Sequence, residues 1–98
     1  MAGPCTTGGS CVKSPNFPLD YGANQDCDIE ILQTGVLSAT SFSTESGYDK
    51  LTLGAIDYSG TNGPMAVSVS AGDHATWRSD YSIQSTGWKV CLGECMPA

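Results

Sequence analysis

Positive charge is scarce in this 98-residue chain: four Lys and Arg residues stand against ten Asp and Glu, for a formal net charge of -6. Phosphate binding needs a basic surface that four residues cannot build, which excludes nucleic acid as a partner and favours cations or basic proteins. Long apolar runs are also missing, and nothing approaches the ~20 residues of a membrane span. The Met1-Ala2-Gly3-Pro4 start has neither the charge nor the greasy segment of a signal peptide. If the domain is secreted, its signal is expected to have been removed or to belong to a longer parent chain. Catalytic constellations are absent too. His74 is the single histidine and follows Asp73 in a turn, and no serine sits in a G-x-S-x-G setting. No carboxylate pair has apolar surroundings, so the chain is not expected to be an enzyme. Asn16, Asn24 and Asn62 all lack a hydroxyl residue two places on, which leaves no N-glycosylation acceptor. Helical periodicity is nowhere sustained over three turns, and there is no internal repeat.

What is present is β-sheet patterning, turn residues and cysteine. The length suits one domain, and a domain of this size buries only somewhat over ~60% of its unfolded surface, so its core needs help. Five cysteines, Cys5, Cys11, Cys27, Cys91 and Cys95, supply it. In a chain rich in Gly, Ser and Thr they suit an oxidising compartment, and an odd count leaves one unpaired or bonded elsewhere. Paired C-x-x-C knuckles are missing, which argues against structural zinc.

Residues 1–10 are small and polar and read as a loosely held N-terminal arm. Cys11 to Gly22 carries two prolines and a glycine in a pattern that forbids helix and favours an extended path with turns. From Cys27 to Gln33 the period is two, with Cys27, Ile29 and Ile31 on one face and Asp28 and Glu30 on the other. Gln33-Thr34-Gly35 predicts a turn and Val36 to Phe42 a partner strand completing a hairpin. Leu51 and Leu53 share a face of a third strand, Gly54 allows a bend, and Ile56 to Tyr58 continue extended. Ser59 to Pro64 is the strongest loop signal. Met65 to Ser70 alternates, Ala71-Gly72-Asp73 turns, His74 to Trp77 extends, and Trp88 to Leu92 forms the last strand. Trp77, Trp88 and Phe42 lie in alternating runs and are expected in the core. Seven or eight short strands near ten residues apart predict an all-β antiparallel sandwich or barrel. Such a fold lets distant loops share an end, and Glu45, Asp49 and Asp80 are expected to meet there.

Three stretches carry a family resemblance: Ser14-Pro15-Asn16-Phe17-Pro18-Leu19-Asp20-Tyr21-Gly22-Ala23-Asn24 before Cys27, Tyr48-Asp49-Lys50-Leu51-Thr52-Leu53, and Ser79-Asp80-Tyr81-Ser82 followed by Gly87-Trp88. Together, and in this order, they resemble CUB domains. The resemblance spans residues 11–92 and leaves 93–98 as a tail. It implies a disulfide-stapled, jelly-roll-type antiparallel β-sandwich of extracellular proteins. It also implies Ca2+ held by Glu45, Asp49, Asp80 and a backbone carbonyl at Ser82, with Tyr21 in the place of a tyrosine that buttresses the ligands. In such members the calcium-held acids grip a basic side chain of a protein partner, while other members bind sugars without metal. Tyr21, Tyr48 and Tyr81 flank the acids and are candidates for shaping a partner pocket. The family's second disulfide is absent here, and the Glu45 to Asp49 interval is shorter than usual.

The resemblance places the first disulfide between Cys11 and Cys27, closing a loop of about 17 residues worth on the order of 3 kcal/mol. Cys5 is then expected to pair with Cys91 or with Cys95. The thiol left over, Cys95 in the first case, is available for a covalent link to a further domain. Two functions fit: an extracellular, calcium-dependent module recognising a protein through an exposed Lys or Arg, or a calcium-independent carbohydrate-binding or structural sandwich.

Overall fold

A computed structural model describes residues 3–93. These residues form nine strands and no helix, and so none long and apolar enough to cross a membrane. The strands are β1 (Thr6–Gly8), β2 (Cys11–Lys13), β3 (Asp26–Glu30), β4 (Gly35–Ser43), β5 (Lys50–Leu53), β6 (Ile56–Tyr58), β7 (Val67–Val69), β8 (His74–Arg78) and β9 (Gly87–Gly93). They make two antiparallel sheets, ordered β1-β2-β9-β4-β7 and β3-β8-β5-β6. The sheets pack as a sandwich over one core: Leu37, Trp88 and Val90 from the first meet Ile29, Leu51, Leu53, Ala75 and Trp77 from the second.

Alternation of side chains builds each layer. In β3, Cys27 and Ile29 point inward against Trp77 and Ala75 of β8, while Asp26 and Glu30 face Arg78 and His74 outside. Arg78 Nε donates to Asp26 Oδ1 at 3.2 Å and His74 Nδ1 lies 2.9 Å from Asp28 Oδ1. Both pairs are solvent-exposed and contribute little to stability.

The expected β3–β4 hairpin does not form. β3 pairs with β8, β4 pairs with β9 and β7, and residues 31–34 carry the chain from one sheet to the other. The switch is fixed by the turn after β7: Ile31 N donates to Asp73 O at 2.7 Å and Gly72 N donates to Ile31 O at 2.8 Å. Period-two patterning fixes which face is buried; it does not choose the neighbouring strand.

The cysteine pairing also differs from expectation. Cys5 bonds Cys27 and Cys11 bonds Cys91, in place of Cys11 with Cys27 and Cys5 with Cys91 or Cys95. The cause is sheet order. β2 lies beside β9, which sets Cys11 directly opposite Cys91 with Cα atoms 4.0 Å apart, while Cys27 belongs to the other sheet. Residues 5–8, read from the sequence as part of a loose arm, are tied down by the buried Cys5 and by pairing of β1 with β2. Cys95, expected to remain available for a covalent link, lies outside the described residues.

Tyr21, Trp77 and Trp88 form an edge-to-face stack through the core, with ring centroids 4.9 and 5.7 Å apart. Next to it, Ser14 Oγ accepts from Trp88 N at 2.9 Å, and Ser14 N donates to Trp88 O at 2.9 Å. Gly87 makes this approach possible. Its φ is +85°, and a Cβ there would stand 1.9 Å from Ser14 Oγ. Gly87→Ala is therefore expected to lose more than the ~1–2 kcal/mol of a left-handed non-glycine residue, since the clash adds to it. Chemical denaturation checks this, and an unchanged midpoint would refute it.

Candidate metal site

Three connections meet at one end of the sandwich: residues 14–25, 44–49 and 79–86. The middle one is shaped by Thr44, which is buried where β4 ends. Its Oγ1 donates to Asp49 O at 3.0 Å and accepts from Gly60 N at 2.9 Å, and its amide donates to Gly60 O at 2.9 Å. Asp49 N donates to Glu45 O at 3.1 Å, closing a single turn, with Gly47 at φ +81° and its amide donating to Ser59 Oγ. One turn brings the side chains of residues four apart onto the same side. The short Glu45 to Asp49 interval is thereby accommodated.

Ser79 positions Asp80. It is buried, its Oγ donates to Gly22 O at 2.7 Å and accepts from Gln25 N at 2.9 Å, and its amide donates to Gln25 O. Asn24 N donates to Asp80 O at 2.8 Å. The loop after β8 is thus laced to the loop before β3. Ser82 joins through its amide, which donates to Asp80 Oδ1 at 3.2 Å in a local side-chain turn.

Glu45, Asp49 and Asp80 converge, each offering a carboxylate oxygen within 4.8 Å of the others. Asp49 is the centre and is 0% exposed. It accepts from Tyr21 Oη at 2.5 Å and from Asp80 N at 2.8 Å, while Tyr21 Oη accepts from Glu45 N at 3.3 Å. Burial pushes the Asp49 carboxyl above its usual range, and the charge of Asp80 adds to this; the bonds from Tyr21 and the Asp80 amide offset only part. Glu45 is also raised, by desolvation first and then by the charges of Asp80 and Asp49. Burial, with the bond to Asp49, holds the Tyr21 phenol well above its ordinary value, so it stays a donor.

The cluster has no internal counter-charge. The ion pairs among the described residues engage Asp57, Asp28 and Asp26. Glu45 Oε1 is shielded from water and has no hydrogen-bond partner, the condition under which a buried polar atom is expensive to leave alone. Three carboxylates with an unpartnered oxygen fit a cation and can hold a metal ion. An all-oxygen donor set matches hard divalent ions and is poorly suited to zinc, which takes nitrogen and sulfur.

The tyrosines divide. Tyr48 and Tyr81 are 66% and 80% exposed beside the acids. Tyr21, which the sequence offers both as a buttress of the ligands and as a partner contact, is 2% exposed and orients Asp49, as a buttress does. Thr44 and Ser79 do most to shape the loops; Ser79 enters the sequence reading only as the first residue of the Ser79-Asp80-Tyr81-Ser82 stretch, and the one signal for Thr44 is that it immediately precedes Glu45. No protein-family model and no curated protein sequence matches this chain.

Proposed function

We propose that this chain is a non-catalytic, calcium-dependent binding module of an extracellular protein, CUB-like in fold, that recognises a protein partner through a basic side chain. The observation that carries this reading is the meeting of Glu45 and Asp49 from one loop with Asp80 from another, around an oxygen with no partner of its own. Two intramolecular disulfides point to an oxidising environment and support the extracellular placement. Glu45, Asp49 and Asp80 would hold the ion, with a carbonyl at Ser82 completing the set. Bound calcium would neutralise the mutual repulsion of the acids and leave them fixed as acceptors. Tyr21 keeps Asp49 oriented by donating to it, and the Asp80 amide does the same from the other side. The exposed rings of Tyr48 and Tyr81 flank the acids and offer apolar contact to the stem of a lysine or arginine.

The sign of the pH response follows from the raised Asp49 and Glu45 carboxyls. In EDTA the contribution of these groups is fully present below about pH 4, where the unfolded carboxyls are also protonated. It is lost as pH rises through their elevated folded values. Calcium opposes that loss, so the rise in melting temperature it produces grows with pH. At about ten times its dissociation constant, calcium adds roughly 1.4 kcal/mol, which for a domain of this size is roughly 6–11 °C. Asp80→Ala is expected to abolish the calcium response and calcium-dependent capture of a partner, while its melting temperature in EDTA equals or exceeds that of the native protein because a repelling charge is gone. Calorimetric titration and thermal melts at pH 4.5 and 7.5 check this. A calcium response that survives in Asp80→Ala would reject the site.

A further inference from the structure

We propose that the end of the sandwich opposite the acids is a second binding site, taking a small neutral molecule with an aliphatic body. A cavity of about 560 Å³ opens there between the sheets. Its floor comes from both inner faces: Ile31, Leu53 and Ala75 on one side, Leu37, Val90 and Trp88 on the other, all buried. The exposed residues of its lining, Thr7, Gly9, Ser10, Glu30, Leu32 and Gln33, belong to β1, the β1–β2 turn, the end of β3 and the β3–β4 connection, which places the mouth at that end.

Size decides that this is more than imperfect packing. Protein interiors close to crystal density and leave few voids larger than a water molecule. An apolar hole of about 150 Å³ already takes up benzene, and ligand sites commonly run from about 300 to 1,000 Å³. The enclosure between two sheets admits a small molecule or a single extended chain and excludes a folded macromolecule. One feature narrows the chemistry. Among the described residues Glu30 is the only ionisable side chain of the lining, and its carboxylate stands at the mouth, which disfavours a carboxylate or phosphate head and leaves a neutral molecule.

The test uses the oxidised full chain and the neutral fluorophore N-phenyl-1-naphthylamine, titrated in EDTA and again in calcium. Saturable one-to-one binding is expected in both, because the cavity lies away from the acids; this also separates its failure from failure of the calcium site. 1-Decanol should displace the fluorophore at lower concentration than decanoate, and Glu30→Gln should narrow that difference. Ala75→Leu fills the cavity and should weaken binding more than about tenfold while leaving or raising the melting temperature. Should that variant not fold, Ala75→Val gives the same directions on a smaller scale. Absence of saturable binding, or binding unaffected by filling at Ala75, would overturn the proposal. So would a gain in affinity on deleting residues 94–98, which would make this chain's own end the occupant, or dimerisation abolished by Ala75→Leu, which would assign the cavity to a second copy.

Discussion

Reduced and alkylated, the protein is expected to lose its cooperative thermal transition at neutral pH. The Cys11–Cys91 bond spans 80 residues and Cys5–Cys27 spans 22. On chain entropy, loops of these lengths stabilise the fold by about 4.5 and about 3.4 kcal/mol. Their sum, roughly 8 kcal/mol, falls within the whole stability of an ordinary domain, about 5–15 kcal/mol. The two bonds are unequal in a way that can be measured. Replacing Cys11 and Cys91 together by Ser should lower stability more than replacing Cys5 and Cys27, although the second pair is the more deeply buried at its ends. Guanidinium titrations of the two double variants give the order, and peptide mapping without reductant gives the pairing. A reduced protein melting within a few degrees of the oxidised one would show that the sheets hold without either bond.

Asp49→Ala is expected to remove the calcium response entirely and, unlike Asp80→Ala, to destabilise the protein in EDTA as well. Asp49 is the acceptor for the Tyr21 hydroxyl and the Asp80 amide, and both donors would lose it at a buried site. Each orphaned group costs about 1–3 kcal/mol. Against this stands relief of the repulsion that raises the Asp49 carboxyl. Two lost bonds outweigh it, and a net loss of about 1–3 kcal/mol is expected at pH 7. Asp49→Asn separates the two effects. It keeps the shape and one accepting oxygen while dropping the charge, so it should retain most of the stability in EDTA and still ignore calcium. Thermal melts of both variants with and without calcium check this; a native-like calcium increment in either would remove Asp49 from the site.

The strands were legible because their burial alternates: Asp26-Cys27-Asp28-Ile29-Glu30 and His74-Ala75-Thr76-Trp77-Arg78 each show one apolar face in sequence and one buried face in the fold. Their neighbours were not legible. Nothing local to β3 says that it lies beside β8 and in a different sheet from β4, because that choice is made by the Ile31 contacts to Gly72 and Asp73 some 40 residues on. The disulfide pairing inherits the same dependence, since Cys11 finds Cys91 only once β2 and β9 are adjacent. Convergence of the acids was legible through the sandwich expectation and the resemblance-bearing stretches around Asp49 and Asp80, not through spacing alone. The inward turn of Tyr21 was implied only by the family resemblance, and the shaping by Thr44 and Ser79 was not legible, because it depends on hydrogen bonds between loops. The cavity left no trace in the sequence at all, being a difference in volume between two faces that each look suitably apolar.

The Cys5–Cys27 bond has a mechanical consequence. Cys5 leads into β1 and Cys27 lies in β3, the outermost strands of their sheets on the same side of the sandwich. The molecule is therefore stitched like a book along that spine, and its two leaves cannot slide past one another there. The fore-edge, where β6 and β7 are joined by residues 59–66, has no such bond among the described residues; the covers are held there by the buried Pro64, by Tyr58 and Val67 packed on the core and by hydrogen bonds such as Ala39 to Pro64 and Gly60 to Thr44, so whatever freedom they keep is to gape on that side.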